Sequence, residues 1–144
     1  MRDIDRILEQ IEQEGEYKEF VYKGITCKII RNRHLRHLCG YVVLPKCSAF
    51  HGVDYNDIPI DCHGGLTYGG EDHHADTDDY MIGFDCAHSD DLTLSLRSED
   101  DYMTVGYGDY RDMRYVQVEL ESMVDQLLEK DSGILRMQKI NHII

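Results

Sequence analysis

EYKEFVYKGITCKII (residues 16–30), followed after a short gap by LCGYVVL (residues 38–44), decides how the fold is read. Both halves of the first stretch are rich in β-branched and aromatic residues. Lys23-Gly24 between them supplies the two-residue turn of a tight hairpin. The pattern predicts antiparallel strands over 16–22 and 25–30. A third strand over 38–44 ends at Pro45, because proline cannot donate to a ladder. Between the second and third strands, Arg31-Asn32-Arg33-His34-Leu35-Arg36-His37 is the one dense basic stretch and reads as a loop.

Upstream, Ile4, Ile7, Leu8 and Ile11 recur at helical spacing, which predicts a helix over 3–14 capped by Asp3 and ended by Gly15. Downstream, 46–60 reads as a long connection broken by Gly52, Asn56 and Pro59. Short strands are expected over 63–68 and 80–86, with a polar loop over 71–79 between them. Residues 87–108 lack periodicity and read as irregular, with a strand near 92–96. Met113, Val116, Leu120, Val124 and Leu127 predict a long helix over 110–130, with Asp109 as its cap, Asp112 in its first turn and Gly133 closing it. The tail 134–144 reads as a last strand or a partner-binding extension. The expected class is α+β: one domain over 1–144, with a mainly antiparallel sheet of about five strands and an N-terminal and a long C-terminal helix on one face.

Charge is distributed unevenly. The chain of 144 residues has a formal net charge of −13, and residues 61–109 carry thirteen Asp/Glu against Arg97 alone. That stretch also holds four of the eight histidines: His63, His73, His74 and His88. Crowding like charges costs self-repulsion, which a site that binds a cation, moves protons or grips a ligand would explain. Strong acidity argues against wrapping duplex DNA, which needs a basic face. No apolar run approaches the ~20 residues that cross a bilayer. The N-terminus has no apolar signal core, so a cytoplasmic location is expected. Cys27, Cys39, Cys47, Cys62 and Cys86 are an odd count without a Cys-x-x-Cys pair, as expected of reduced thiols packed as small apolar groups.

Two segments carry the candidate chemistry: DCHGGLTY (61–68) and IGFDCAHSD (82–90). Each places a histidine at the edge of an apolar strand. If the strands pair, Asp61, His63, Asp85, His88 and Asp90 gather at one end of the sheet. Gly64-Gly65 would let backbone amides approach a ligand, with Thr67 and Tyr68 beside them. Three chemistries fit. A divalent metal could take His63, Asp85 and His88. His63 and His88 could act as a general acid–base pair, with Asp85 or Asp90 orienting one ring. The same groups could simply hydrogen-bond a bound ligand. Arg31, Arg33 and Arg36 form the natural anion site, since guanidinium forks match phosphate. Cys86, near His88, invites comparison with a thiol nucleophile, although a buried structural thiol also fits. The acidic 71–79 loop resembles a metal tract in composition but lacks the order of a calcium loop. Tyr68, Tyr80, Tyr102, Tyr107 and Tyr110 crowd the same region and could stack on a base or a sugar.

The combination of CGYVVLP (39–45), HGGLTY (63–68), IGFDCAH (82–88) and YRD (110–112) resembles a family of small accessory proteins of tailed phages, over roughly residues 17–128. Members of that family tend to have Trp before the Gly-Phe-Asp, where this chain has Tyr80-Met81. The resemblance implies a counter-defence role in the host cytoplasm. The leading expectation is a protein, acting as a dimer, that binds and sequesters a small nucleotide-like molecule such as an immune second messenger. The alternatives are a phosphodiesterase-type hydrolase using His63 and His88, and an acidic inhibitor that docks on a host defence protein.

Overall fold

In the computed structural model, which describes residues 3–73, 77–99 and 101–140, the hairpin at 16–30 forms as the sequence predicts. β1 (Tyr17–Tyr22) pairs antiparallel with β2 (Ile25–Arg31). Lys23 and Gly24 both adopt positive φ, 50° and 80°, the conformation a two-residue hairpin turn requires. β3 (Leu38–Leu44) adds to β2, β5 (Tyr80–Asp85) adds to β3, and the short β4 (Tyr68–Glu71) closes the far edge. The sheet order is therefore β1-β2-β3-β5-β4, with every pairing antiparallel. A separate two-stranded ribbon joins β6 (Thr93–Ser98) to β7 (Asp101–Val105). The class is α+β, as the pattern of elements implies.

Alternation along the strands gives the main sheet two unlike faces. Cys27, Ile29, Leu38, Val42, Leu44, Ile82 and Phe84 lie on one face and are buried. Against them packs the long helix over Met113–Lys130, through Val116, Leu120, Met123, Val124 and Leu127. We label the N-terminal helix (Asp3–Glu14) α1 and the long helix α2. Gly40 permits the close approach of sheet and helix, since a Cβ there would meet the Phe84 ring and the Val116 side chain at 2.9 Å. The opposite face carries Tyr17, Lys28, Cys39, Tyr41 and Asp85 and has no helix over it among the described residues.

α1 packs elsewhere. Ile4 and Ile11 bury against Leu94 of the ribbon, with Leu92, Tyr102 and Tyr110 around them, to make a second, smaller core. The two cores are joined by Arg31, whose side chain is fully buried. It donates to the Gly15 and Arg36 carbonyls, to the Tyr110 hydroxyl and to Glu14. Glu14 in turn accepts from Tyr110 and from the Met113 amide.

Several elements depart from the sequence expectation. Residues 63–67 form a turn rather than a strand: Gly64 and Gly65 take positive φ and the Gly65 amide bonds back to the Cys62 carbonyl, so pairing begins only near Thr67. Residues 87–108 are more regular than expected, because β7 is ordered by its cross-strand partner β6. Asp112, not Asp109, caps α2, accepting from the Tyr115 amide at 2.7 Å. Asp109 instead lies beside Asp91, and its carbonyl takes the Leu92 amide. The tail is a third helix, α3 (Ser132–Ile140), where a strand or extension was expected; the Asp131 carboxylate accepts the Gly133 and Ile134 amides and starts it. Residues 141–144 of that expected tail, and 74–76 of the acidic loop, lie outside the described residues. Among the described residues, no helix is long and apolar enough to cross a membrane.

Candidate active site

Three chain segments converge at one end of the main sheet. The first is the loop around His63, which α2 clamps in place: the Gln126 side chain accepts from the Asp61 amide and donates to the Asp61 carbonyl, at 2.7 and 2.8 Å. The second is the turn after β5, in which the Cys86 amide extends the β3 ladder onto the Leu38 carbonyl and the Asp91 amide closes back on the His88 carbonyl. The third is the start of α2, which brings Arg111 and Tyr115. A Cβ at Gly108 or Gly106 would strike the Asp90 or Asp91 carbonyl, so glycine there lets 105–109 lie against the His88 turn.

At the centre stands Asp91, whose side chain is fully buried. His63 Nε2 lies 2.8 Å from both of its carboxylate oxygens. The His88 amide and His88 Nδ1 each reach Oδ2 at 3.0 Å, and Arg111 Nε reaches Oδ1 at 2.8 Å. Burial alone would raise the Asp91 pKa. The hydrogen bonds from His63, the His88 backbone, Arg111 and the His88 ring outweigh it and hold the carboxyl well below the usual carboxylate range. An ionised carboxylate only accepts, so each ring nitrogen facing Asp91 carries a proton. In the neutral rings, His63 Nδ1 then accepts from the Tyr115 hydroxyl at 2.7 Å, and His88 Nε2 keeps its lone pair.

The two imidazoles therefore differ. The His63 side chain is 7% exposed, and both of its nitrogens are engaged. His88 is 29% exposed, and its Nε2 makes no hydrogen bond among the described residues; the nearest carboxylate, Asp85 Oδ1, is 3.8 Å away. The ring centroids are 5.4 Å apart. The His88 ring occupies the space a Cβ on Gly64 would need, and Gly64 sits at φ 68°. Gly64→Ala therefore meets both backbone strain and the ring. It is expected to lower stability by about 1–3 kcal/mol and to shift the His88 ring resonances in an NMR spectrum. An unmoved His88 signal in a stable variant would contradict this packing.

The remaining sequence candidates are placed as follows. Asp90 offers its carbonyl and, at 3.8 Å, its carboxylate to Arg111. Asp85 accepts from the Ala87 amide. The Thr67 amide bonds to Gly83, and Tyr68 stacks edge-on against Tyr41 on the open face. Arg31 is consumed in the joint between the cores, and Arg36 forks onto Glu16 at 2.6 and 2.9 Å. Arg33 is exposed, without a hydrogen bond or ion pair among the described residues. Burial pushes the Cys62 thiol up to about 12 and the Cys86 thiol higher still, so neither is poised as a thiolate nucleophile.

Asp91, Arg111 and Tyr115 were missing from the sequence reading of the site. The signal for Asp91 is its position three residues after His88, the spacing of a turn whose carboxylate caps its own first amide. His63, His88 and Asp91 bring one donor atom each within 4.8 Å of one another. The Asp91 oxygens already receive four donors, one of them a guanidinium whose positive charge would oppose a cation at the same point. Comparison with family models, curated proteins and solved structures finds no match.

Proposed function

We propose that this protein is a hydrolase that works by general acid–base catalysis at His88 Nε2. One observation carries the reading: a buried carboxylate fixes His88 through Nδ1 and leaves Nε2 unbonded at the surface. This is the division of labour by which a carboxylate selects the tautomer of a catalytic histidine. His88 takes a proton from the attacking water and returns it to the departing group. Asp91 orients the ring and supports the imidazolium that forms between the two steps. His63 and Arg111 hold Asp91 in place and Tyr115 holds His63; all three are positioning residues. Asp85, whose carboxylate lies 3.8 Å from Nε2, makes that side of the ring electronegative, which favours an uncharged electrophile over a phosphate at that point.

The test is a panel of nucleoside monophosphates, cyclic nucleotides and ADP-ribose derivatives incubated with the pure protein, which is then heat-denatured. Cleaved products that disappear with His88→Ala support the proposal. Ligand recovered intact replaces it with sequestration, the binding function that the sequence also suggests. Neither ligand loss nor thermal stabilisation would overturn both for this class of molecule.

A further inference from the structure

The face of the main sheet that α2 leaves uncovered bears a cleft of about 730 Å³, lined in part by Tyr17, Ile30, Arg33, His34, Cys39 and Tyr41. Its size falls in the ~300–1,000 Å³ range of small-molecule sites. Register ties this cleft to the candidate active site. Tyr17 pairs with Ile30, Ile30 with Cys39, and Cys39 with Asp85, so these four residues form one row across β1, β2, β3 and β5. Residues in such a row share a face, and the row spans about 14 Å at ~4.8 Å per strand. Its last member, Asp85, is the residue whose carboxylate lies 3.8 Å from His88 Nε2. The row thus continues from Cys39 in the cleft wall, across one strand, to the carboxylate beside the unbonded nitrogen.

The walls define the ligand chemistry. Tyr41 is braced by Gly83, where a Cβ would meet its ring, and by the edge-on Tyr68. With Tyr17 it offers aromatic surface over the apolar floor of Ile30 and Cys39. The charges are already sorted: the Glu16 carboxylate at the rim is bound by the Arg36 fork, and Arg31 is spent internally. Arg33 is exposed and makes no hydrogen bond or ion pair among the described residues, although its charge acts on the Glu16 carboxylate, so its guanidinium is the one in this loop with donors left for an anion. The anion site lies at the loop end and the Asp85 carboxylate at the reactive end, so a substrate would carry its negative charge away from the atom attacked.

We propose that this cleft is the substrate site of the hydrolase read above, and that it takes a nucleoside monophosphate or a close relative. The nucleoside lies on Ile30 and Cys39 beside Tyr41, with the phosphate on Arg33 and C1′ directed to Asp85 and His88: water adds to C1′, the C1′–N bond to the base breaks, and His88 passes the proton taken from the water to the departing base. The inference rests on the acid–base reading, but binding and turnover fail separately. Adenosine monophosphate serves as the probe, titrated by calorimetry into the full chain and followed by amide chemical shifts. Saturable binding with shifts at Tyr17, Ile30, Arg33 and Cys39 is expected. Arg33→Ala should weaken it about tenfold, the loss of one charge-assisted contact. Adenosine without phosphate should bind wild type about as weakly. His88→Ala should leave the affinity within about twofold while removing any turnover. Absence of binding at millimolar probe, an Arg33→Ala variant that binds as tightly as wild type, or shifts confined to other parts of the sheet would each overturn the cleft assignment. Binding as described without turnover of any panel member would leave the cleft standing and remove the hydrolase.

Discussion

Asp91→Asn is expected to cost about 3 kcal/mol of unfolding free energy at pH 7, read from urea denaturation. The carboxylate is fully buried and receives four donors from His63, His88 and Arg111. Asparagine removes the charge and turns an NH₂ group toward some of those donors, leaving buried groups unsatisfied. The cost lies at the lower end of the ~3–5 kcal/mol for breaking a buried pair, because Arg111 is partly exposed and has Asp90 beside it. Linkage gives the pH dependence. The folded-state pKa of Asp91 is depressed, so its contribution is present above the unfolded value of about 3.9 and is lost as pH falls toward the folded value. The wild-type and Asp91→Asn stability curves should therefore converge in acid. Curves that stay parallel down to pH 2, or a loss below about 1 kcal/mol at pH 7, would mean that the carboxylate bears little of the fold.

His88→Ala is expected to lower kcat by about 10²–10⁴ on any substrate the panel yields, with little change in KM. Stability should fall by only about 1 kcal/mol, since the ring is partly exposed and Asp91 keeps its other donors. His63→Ala makes the necessary contrast. It removes a buried ring with both nitrogens bonded, so its main effect should be on folding. If the two substitutions lower kcat equally in folded protein, the rings act as a pair and the distinction drawn between them is wrong. If His88→Ala leaves kcat unchanged, Nε2 does not handle the transferred proton.

The parts of the fold legible in the sequence are those set by local pattern. The 16–30 hairpin carries its own turn chemistry in Lys23-Gly24, and α2 carries a continuous apolar stripe from Val116 to Leu127. The parts that were not legible depend on pairings and turns that no clear apolar alternation marks. β7 exists because β6 lies beside it, and its residues show no strong alternation of burial. The 63–68 segment looks apolar enough to pair, yet Gly64-Gly65 curl it into a turn. Asp109 and Asp112 are equally good caps on paper; the Asp91 segment lies against the first, which leaves the second to start the helix. For the site, the two histidine-bearing segments were readable and their rings do meet. Asp91 was hidden as the second of two adjacent aspartates, one exposed and one buried; its donors His63 and Arg111 come from 28 residues before it and 20 residues after it.

The division into two cores gives the molecule two tiers of stability. The main sheet and α2 bury a large continuous cluster, whereas α1 and the ribbon are held together around Ile4, Ile11 and Leu94. The smaller unit can detach at a lower free energy than global unfolding requires, so its amides should exchange with solvent deuterium first. Arg31 is the bolt between them, and Leu92, two residues from the ribbon's buried Leu94, directly follows Asp91. A partial opening of the ribbon would therefore slacken the carboxylate that aims His88 while the sheet beneath stays intact.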